Sequence, residues 1–168
     1  EGDYLKEGYP SSELGWLSGA RFTSVTIGNG IKEIGEYVFY NCSSLTSVTI
    51  GNSVTSIGYR AFYNCSSLTS VYISDIAAWC NISINTYGSP FNHAHNLYLN
   101  NELVTNLTIP DGVTKIGKEA FARCSSLASV TIGNSVTSIE AKAFYGCTSL
   151  KEVYYTGDLS AWCKINIG

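Results

Sequence analysis

The chain has no methionine, only two histidines, and only 14% of its 168 residues are Asp, Glu, Lys or Arg. Ten cations against thirteen anions leave a net charge of -3. Nucleic acid binding wants a basic stripe, so this balance argues against a nucleic acid partner. It also gives no strong signal for a charged membrane surface. No apolar run reaches the ~18 residues of a membrane-spanning helix, so no membrane insertion is expected. There is no GxSxG elbow, no HExxH pair and no glycine-rich phosphate loop. His93 and His95 lack a partner motif, and the acidic residues are scattered over variable positions. No catalytic set or cofactor site emerges, and the chain is expected not to be an enzyme. Position 1 is not Met and no signal peptide is seen, which predicts a processed or trimmed piece of a surface-type protein.

What is present in abundance is repetition. The stretch Ile50 to Tyr72 is matched by Ile27 to Thr49, and again by Ile109 to Thr131 and Ile132 to Tyr154. A period of 23 residues, as from Phe39 to Phe62, lies in the range of a leucine-rich-repeat solenoid. Within one unit, Leu45, Val48 and Ile50 have the alternation of a short strand with one face inward. Gly51-Asn52 is read as a turn, with glycine supplying positive φ. Val54 and Ile57 form a second extended piece that Gly58 breaks. Ala61 and Phe62 then lead about one helical turn, closing at Asn64-Cys65. Each unit has an apolar edge that only a neighbouring unit can bury. The recurring inward set predicts three stacked columns: Phe39, Phe62, Phe121 and Phe144; Leu45, Leu68, Leu127 and Leu150; Cys42, Cys65, Cys124 and Cys147. The predicted fold is an α/β solenoid of parallel strands and short helical or 3-10 turns, one domain overall.

The phrase FYNCSSLTSVTIGNSVTSIG (39–58) and its copies resemble the BspA-like leucine-rich repeats of bacterial surface proteins, also found in some parasitic protists. The Ala78-Trp79-Cys80 insert and the phrase AHNLYLNNELVTNLTIPDGVTKIG (94–117) fit the same resemblance, which covers roughly residues 20–168. It implies a cell-surface or secreted module for adhesion or recognition, bacterial rather than protist. The low charge and the many Ser, Thr, Asn and Tyr suit an extracellular solenoid with a neutral polar surface.

Residues 1–26 are read as an N-terminal cap and a worn repeat, with Trp16 in the Phe column and Phe22 in the Leu column. Residues 27–72 are two regular repeats. Residues 73–108 interrupt the period with a Trp-Cys insert, 109–154 are two more repeats, and 155–168 begin a second insert. Asp75, Trp79 and Cys80 recur 83 residues later as Asp158, Trp162 and Cys163. The chain therefore has a super-repeat that stops inside its second copy, and the C-terminal edge is expected to be open to pairing. In the insert, Asp75 is read as the N-cap of a short helical turn, Tyr87 to Pro90 as a turn, and Asn100-Asn101-Glu102 as the tip of a hairpin.

Several candidate chemistries compete with simpler roles. His93 and His95 share a face of an extended segment and suggest a metal pair. No third ligand lies nearby unless Asp75 or Glu102 folds over, and the family-like phrase around His95 favours a structural hydrogen bond. Stacked cysteines suggest disulfides Cys42–Cys65 and Cys124–Cys147. Side chains in one column point the same way, however, so buried thiols meeting loop carbonyls are the preferred reading. The sequons at Asn41, Asn64, Asn81 and Asn106 would matter in a eukaryotic secretory route; two of them, at Asn41 and Asn64, fall in a tightly packed repeat turn, where the Asn is read as a turn former.

The remaining candidate is a surface. Outward strand positions align as Ser24, Ser47, Ser70, Asn106, Ser129 and Glu152, flanked by Thr26, Thr49, Tyr72, Thr108, Thr131 and Tyr154. The candidate binding face is thus Ser47, Thr49, Ser70, Tyr72, Asn106, Thr108, Ser129, Thr131, Glu152 and Tyr154. Rigid Tyr among small polar residues suits recognition of an extracellular protein or glycan. Thr and Tyr are equally good solvent-facing strand formers. A Thr array is also the chemistry of ice binding, but Tyr72 and Tyr154 break its lattice. The alternative class is structural: a stiff spacer, or a unit that self-associates end to end.

Overall fold

The computed structural model describes residues 17–168, so the role predicted for Trp16 lies outside the described residues. The chain winds as a β-solenoid with two strand ribbons on different sides of the coil. The first ribbon begins with β1 (Ser24–Ile27), β3 (Ser47–Ile50), β5 (Ser70–Ile73) and β7 (Asn96–Leu99), all parallel. The second is built from two-residue strands, β2 (Glu33–Ile34), β4 (Ser56–Ile57) and β6 (Ser83–Ile84). The later coils repeat the plan with β9 (Asn106–Thr108), β11 (Ser129–Ile132) and β13 (Glu152–Tyr155), and with β10 (Lys115–Ile116), β12 (Ser138–Ile139) and β14 (Asn166–Ile167). Residue 24 pairs with 47, 47 with 70, and 129 with 152, so the register follows the repeat.

The columns form as expected in the regular coils. Phe39 stacks on Phe62 at 5.0 Å and Phe121 on Phe144 at 5.4 Å between ring centroids. Phe22 meets Phe39 edge-on at 6.2 Å, so it touches the Phe column rather than only extending the Leu column. Leu45, Leu68 and Leu127 are buried, while Leu150 is only partly covered. Threonine hydroxyls tie one coil to the last: Thr46 donates to Thr23 O, Thr69 to Thr46 O, Thr55 to Lys32 O and Thr137 to Thr114 O.

Two local expectations change. The segment after each short strand is a hydrogen-bonded turn, not a helical turn. Tyr37, Arg60, Glu119 and Lys142 have left-handed φ values of 58, 52, 57 and 59°, and so do Asn41, Asn64, Arg123 and Gly146 four residues on, at 58, 60, 62 and 72°; left-handed residues at both ends leave too little chain between them for a right-handed helical turn. The second concerns Gly51, which does not have positive φ. It is required because an added Cβ would lie 2.6 Å from Asn29 Oδ1 and 2.9 Å from Ile27 O of the preceding coil.

Residues 73–108, read from the sequence as an interruption, carry the stack onward. Helix α1 (Ile76–Cys80) starts at Asp75, whose Oδ1 accepts from Ala78 N at 3.0 Å. The chain then lays Ser83 beside Ser56, and Asn96 beside Ser70. A 3-10 turn (Pro90–Asn92) places Phe91 edge-on to Trp79 at 5.9 Å. Asn100 and Asn101, with φ of 50 and 69°, turn β7 into the antiparallel β8 (Glu102–Leu103). Two consecutive positive-φ residues are what a tight hairpin needs. This hairpin ends the five-stranded sheet, and β9 starts a new one. Across the break, Gly117 N donates to Cys80 O at 2.8 Å and Trp79 Nε1 to Ala120 O at 2.7 Å. The insert is therefore the joint between the two halves of the stack.

The second insert copy has the same local form. Helix α2 (Leu159–Trp162) is capped by Asp158, whose Oδ1 accepts from Ala161 N at 2.7 Å, and it leads into β14. Its outer side is open: Leu159 is 76% exposed and Ile167 66% exposed.

Candidate functional site

The ten residues proposed from the sequence fall into two patches rather than one face. Ser47, Thr49, Ser70 and Tyr72 lie on β3 and β5 of the five-stranded sheet. Asn106, Thr108, Ser129, Thr131, Glu152 and Tyr154 lie on β9, β11 and β13 of a separate sheet. The next partner of Ser70 is Asn96, not Asn106, and the partner of Tyr72 is Tyr98. The correction has a simple cause. The β7–β8 hairpin fits an additional strand between the two halves, and repeat counting skips it because its residues lack the repeat's Ser-Val-Thr pattern.

The first patch gains from this. Tyr72 and Tyr98 are both partly exposed and stack at 4.6 Å with 15° between ring planes. They stand beside Thr49 and Thr26 on strands locked in register. In the second patch the polar groups bind one another: Ser129 Oγ donates to Asn106 Oδ1 at 2.8 Å, and the Tyr154 hydroxyl to Glu152 Oε2 at 2.9 Å. The Glu152 hydrogen bond, with its negative charge, raises the Tyr154 pKa. Tyr154 thus lacks the aromatic partner that Tyr72 has.

A second feature lies on the turns after β2, β4, β6, β10 and β12, and sequence reasoning missed it. Tyrosines line the first three of the described turns. Tyr40 stacks on Tyr63 at 5.7 Å, and Tyr63 meets Tyr87 edge-on at 6.1 Å. The Arg60 guanidinium lies 5.0 Å from the Tyr59 and Tyr63 ring centroids and 5.9 Å from that of Tyr87, cation–π geometry that holds the cluster. Beyond Tyr63 and Tyr87 opens a cleft of about 410 Å³, which Tyr145 also lines. The signal was readable: tyrosine at 40, 63 and 145 recurs at one position of the regular repeats, which Ala122 holds in the coil before that of Tyr145.

The thiols have the predicted kind of partner. Cys42 Sγ donates to Leu17 O at 3.0 Å, Cys65 to Phe39 O at 3.1 Å and Cys147 to Phe121 O at 3.0 Å. Burial raises the Cys65 and Cys80 thiols to about 12. His95 Nδ1 lies 3.3 Å from Arg123 O, a structural contact. Burial, then Arg123 and His95, lower the His93 pKa. Among the described residues no three His, Cys, Asp or Glu side chains converge on a metal position, and no helix is long and apolar enough to cross a membrane.

Comparison with known proteins agrees on the repeat. A leucine-rich cell surface protein of Faecalibacterium prausnitzii aligns with 29% identity over 94% of this chain and 36% of its own, with a TM-score of 0.46. A leucine-rich repeat protein of Bacteroides ovatus aligns with 25% identity over 80% of this chain and 43% of its own (TM-score 0.46). The Treponema pallidum leucine-rich repeat protein aligns with 24% identity over 80% of this chain and 70% of its own (TM-score 0.45). This chain thus spans 36% of the first of these and is similar to a part of it. No curated protein matches the chain. The family described as BspA type leucine rich repeat region matches in six copies, over residues 16–89 and 92–163. With the repeat, the register and the columns in agreement, the chain belongs to the BspA-type leucine-rich repeat family.

Proposed function

We propose that this chain is a non-enzymatic recognition module of a bacterial cell-surface or secreted protein, binding an extracellular protein or glycan. The observation that carries the reading is the stacked Tyr72–Tyr98 pair among Ser, Thr and Asn side chains on the parallel strands. Aromatic area on a rigid strand is ordered at little entropic cost, and small polar neighbours supply adaptable hydrogen bonds. The candidate face runs from Ser47, Thr49, Ser70 and Tyr72 to Asn96 and Tyr98. The second patch, from Asn106 to Tyr154, is a weaker candidate because its polar groups are partly satisfied internally.

The test is binding to a panel of extracellular-matrix proteins and glycans at micromolar concentration. Saturable binding lost in Tyr72→Ala/Tyr98→Ala and kept in Tyr154→Ala is the expected result. Absence of binding to every member of the panel would overturn the reading. A second reading, end-to-end self-association or a spacer role, draws on the C-terminal side of β13 and β14. There Val153 on β13 and Ile167 on β14 are 54% and 66% exposed, on strands with no further partner among the described residues, and Leu159 on α2 is 76% exposed; an unpaired strand is the arrangement that accepts another. A mass that stays monomeric as concentration rises would remove the association form of it.

A further inference from the structure

The cleft on the turn side has an origin in the repeat. Tyr40 N donates to Tyr37 O, Tyr63 N to Arg60 O, Ala122 N to Glu119 O and Tyr145 N to Lys142 O, so the four residues occupy one structural position. Three are tyrosine and one is alanine. The row of rings is broken over two coils, the insert, where Pro90 follows Tyr87 at the same offset, and the coil of Ala122; the cleft opens over that gap, with Tyr63 and Tyr87 on one side and Tyr145 on the other. Tyr87 is 51% and Tyr145 60% exposed, so much of each side chain is open to solvent; Arg60 lies over the Tyr87 ring.

The lining has a definite chemistry. Ala122 is its only aliphatic side chain; the others are aromatic or carry hydrogen-bonding groups. Such a wall has little to offer an apolar ligand. Ring faces suit the C–H faces of a sugar, while amides, hydroxyls and Glu119 suit its hydroxyl groups. Charge adds a further requirement. Lys118, Arg123 and Lys142 face one carboxylate, Glu119, in a chain whose net charge is -3. One Arg123 nitrogen, Nη1, donates to Asn92 O at 3.1 Å, which steadies the side chain and leaves further guanidinium donors for a carboxylate. A volume of about 410 Å³ is at the small-molecule end of binding sites, sized for a sugar unit rather than a length of peptide.

We propose that the cleft over Ala122 binds a sugar unit bearing a carboxylate, stacked between Tyr87 and Tyr145 with its carboxylate toward Lys118, Arg123 and Lys142. The ligand is a sialic or a uronic acid, and the two sources share this chemistry. The site is separate from the Tyr72–Tyr98 face and does not depend on it.

The probes are sialyllactose, a glucuronic-acid-terminated disaccharide, neutral lactose and a short peptide of Asp and Glu, each titrated by calorimetry. At least one acidic sugar should saturate, and which of them does so identifies the source. Lactose should bind at least about tenfold more weakly, the loss of one good charge-assisted contact. Ala122→Tyr should abolish binding by filling the gap beside Tyr145 with a ring, and the residue it installs is one the same position already holds in three coils. Lys118→Gln/Lys142→Gln should weaken the acidic sugar by about tenfold or more and leave lactose unchanged. Circular dichroism and thermal unfolding verify that both variants remain folded. If Ala122→Tyr does not fold, the Lys pair and the lactose arm still decide. Equal binding of lactose and the acidic sugars overturns the proposal. So does the absence of saturation by any acidic sugar, tighter binding of the peptide, or acidic-sugar binding that survives the lysine pair.

Discussion

The two Trp-Cys inserts share their opening motif and differ in what lies over them. Asp75 and Asp158 cap their helices in the same way, each accepting from the backbone N–H three residues on. Both helices lead into a two-residue strand that extends the second ribbon, β6 beside β4 and β14 beside β12. Burial separates them. Ile76, Trp79 and Cys80 are 6%, 3% and 0% exposed. Leu159 and Cys163 are exposed and Trp162 is only partly covered, packed on Tyr155 at 5.2 Å. The first insert is followed by a coil that accepts the Trp79 indole and the Cys80 carbonyl; the second has no described coil beyond it. Local form is thus a property of the segment, and burial is a property of its neighbour. This is the nearest-neighbour logic of a solenoid displayed within one chain.

The largest consequence is in thiol reactivity. Cys80 reacts only when coils three and four separate, and burial, with the nearby Asp75 charge, holds its thiol at about 12. An opening free energy of about 4 kcal/mol, below ordinary global stability, makes labelling roughly a thousandfold slower. Alkylation of the native protein followed by mass spectrometry should therefore mark Cys163 at once and leave Cys80, Cys65 and Cys124 unmodified until denaturant is added. Comparable rates at Cys80 and Cys163 would mean that the joint between the two halves is open.

Next in size is the tryptophan pair. Trp79→Ala removes a buried indole and should cost about 3–5 kcal/mol. Trp79→Phe keeps most of the packing but strands Ala120 O, at about 1–3 kcal/mol. Trp162→Ala should cost about 1 kcal/mol, as for a partly exposed residue. Denaturant midpoints measure all three. A loss at Trp162 as large as that at Trp79 would show that the uncovered edge is held by something other than the chain's own contacts, with self-association the first thing to examine by mass.

Much of this was legible in the sequence. The stacked columns that include Phe39 and Leu45 were readable because a parallel stack repeats the same environment at each step. The Asp75 cap and the Asn100-Asn101 hairpin were readable because each is encoded within a few residues. The exchange of Asn96 for Asn106 beside Ser70 was not, because it depends on which strand follows β5 in space. An unlike sequence can take a strand's place when backbone pairing, rather than side-chain identity, holds the register. The Tyr72–Tyr98 stack was hidden for the same reason. The cleft over Ala122 was hidden differently: attention to recurring residues finds the core, while the cleft arises where a recurring residue is missing. The left-handed turns at Tyr37, Arg60, Glu119 and Lys142 leave little trace, since four different side chains adopt one backbone conformation. The turn is tied to the following coil: Tyr37 N donates to Tyr59 O, and Glu119 N to Ala141 O.

The smallest effect separates local from neighbour-dependent stability most sharply. Asp75→Ala and Asp158→Ala remove the same N-cap, worth about 1 kcal/mol in either helix. If capping is local, the Ala78 and Ala161 amides lose their acceptors alike, and each should exchange with solvent about fivefold faster, the factor for that free energy. Global stability should respond unequally. Helix α1 supports Trp79, whose hydrogen bond to Ala120 joins the halves of the stack, so loosening it should lower the denaturant midpoint by nearly the whole cap energy. Helix α2 packs Trp162 on Tyr155 and leads into β14, but no described coil lies over it, and its fraying should leave the midpoint almost unchanged while the Ala161 amide still speeds up. Equal midpoint losses would mean that α2 is coupled to the body of the solenoid as tightly as α1, through Tyr155 and the β12–β14 pairing, and that burial by a following coil contributes less to cooperativity than the Trp79 geometry indicates.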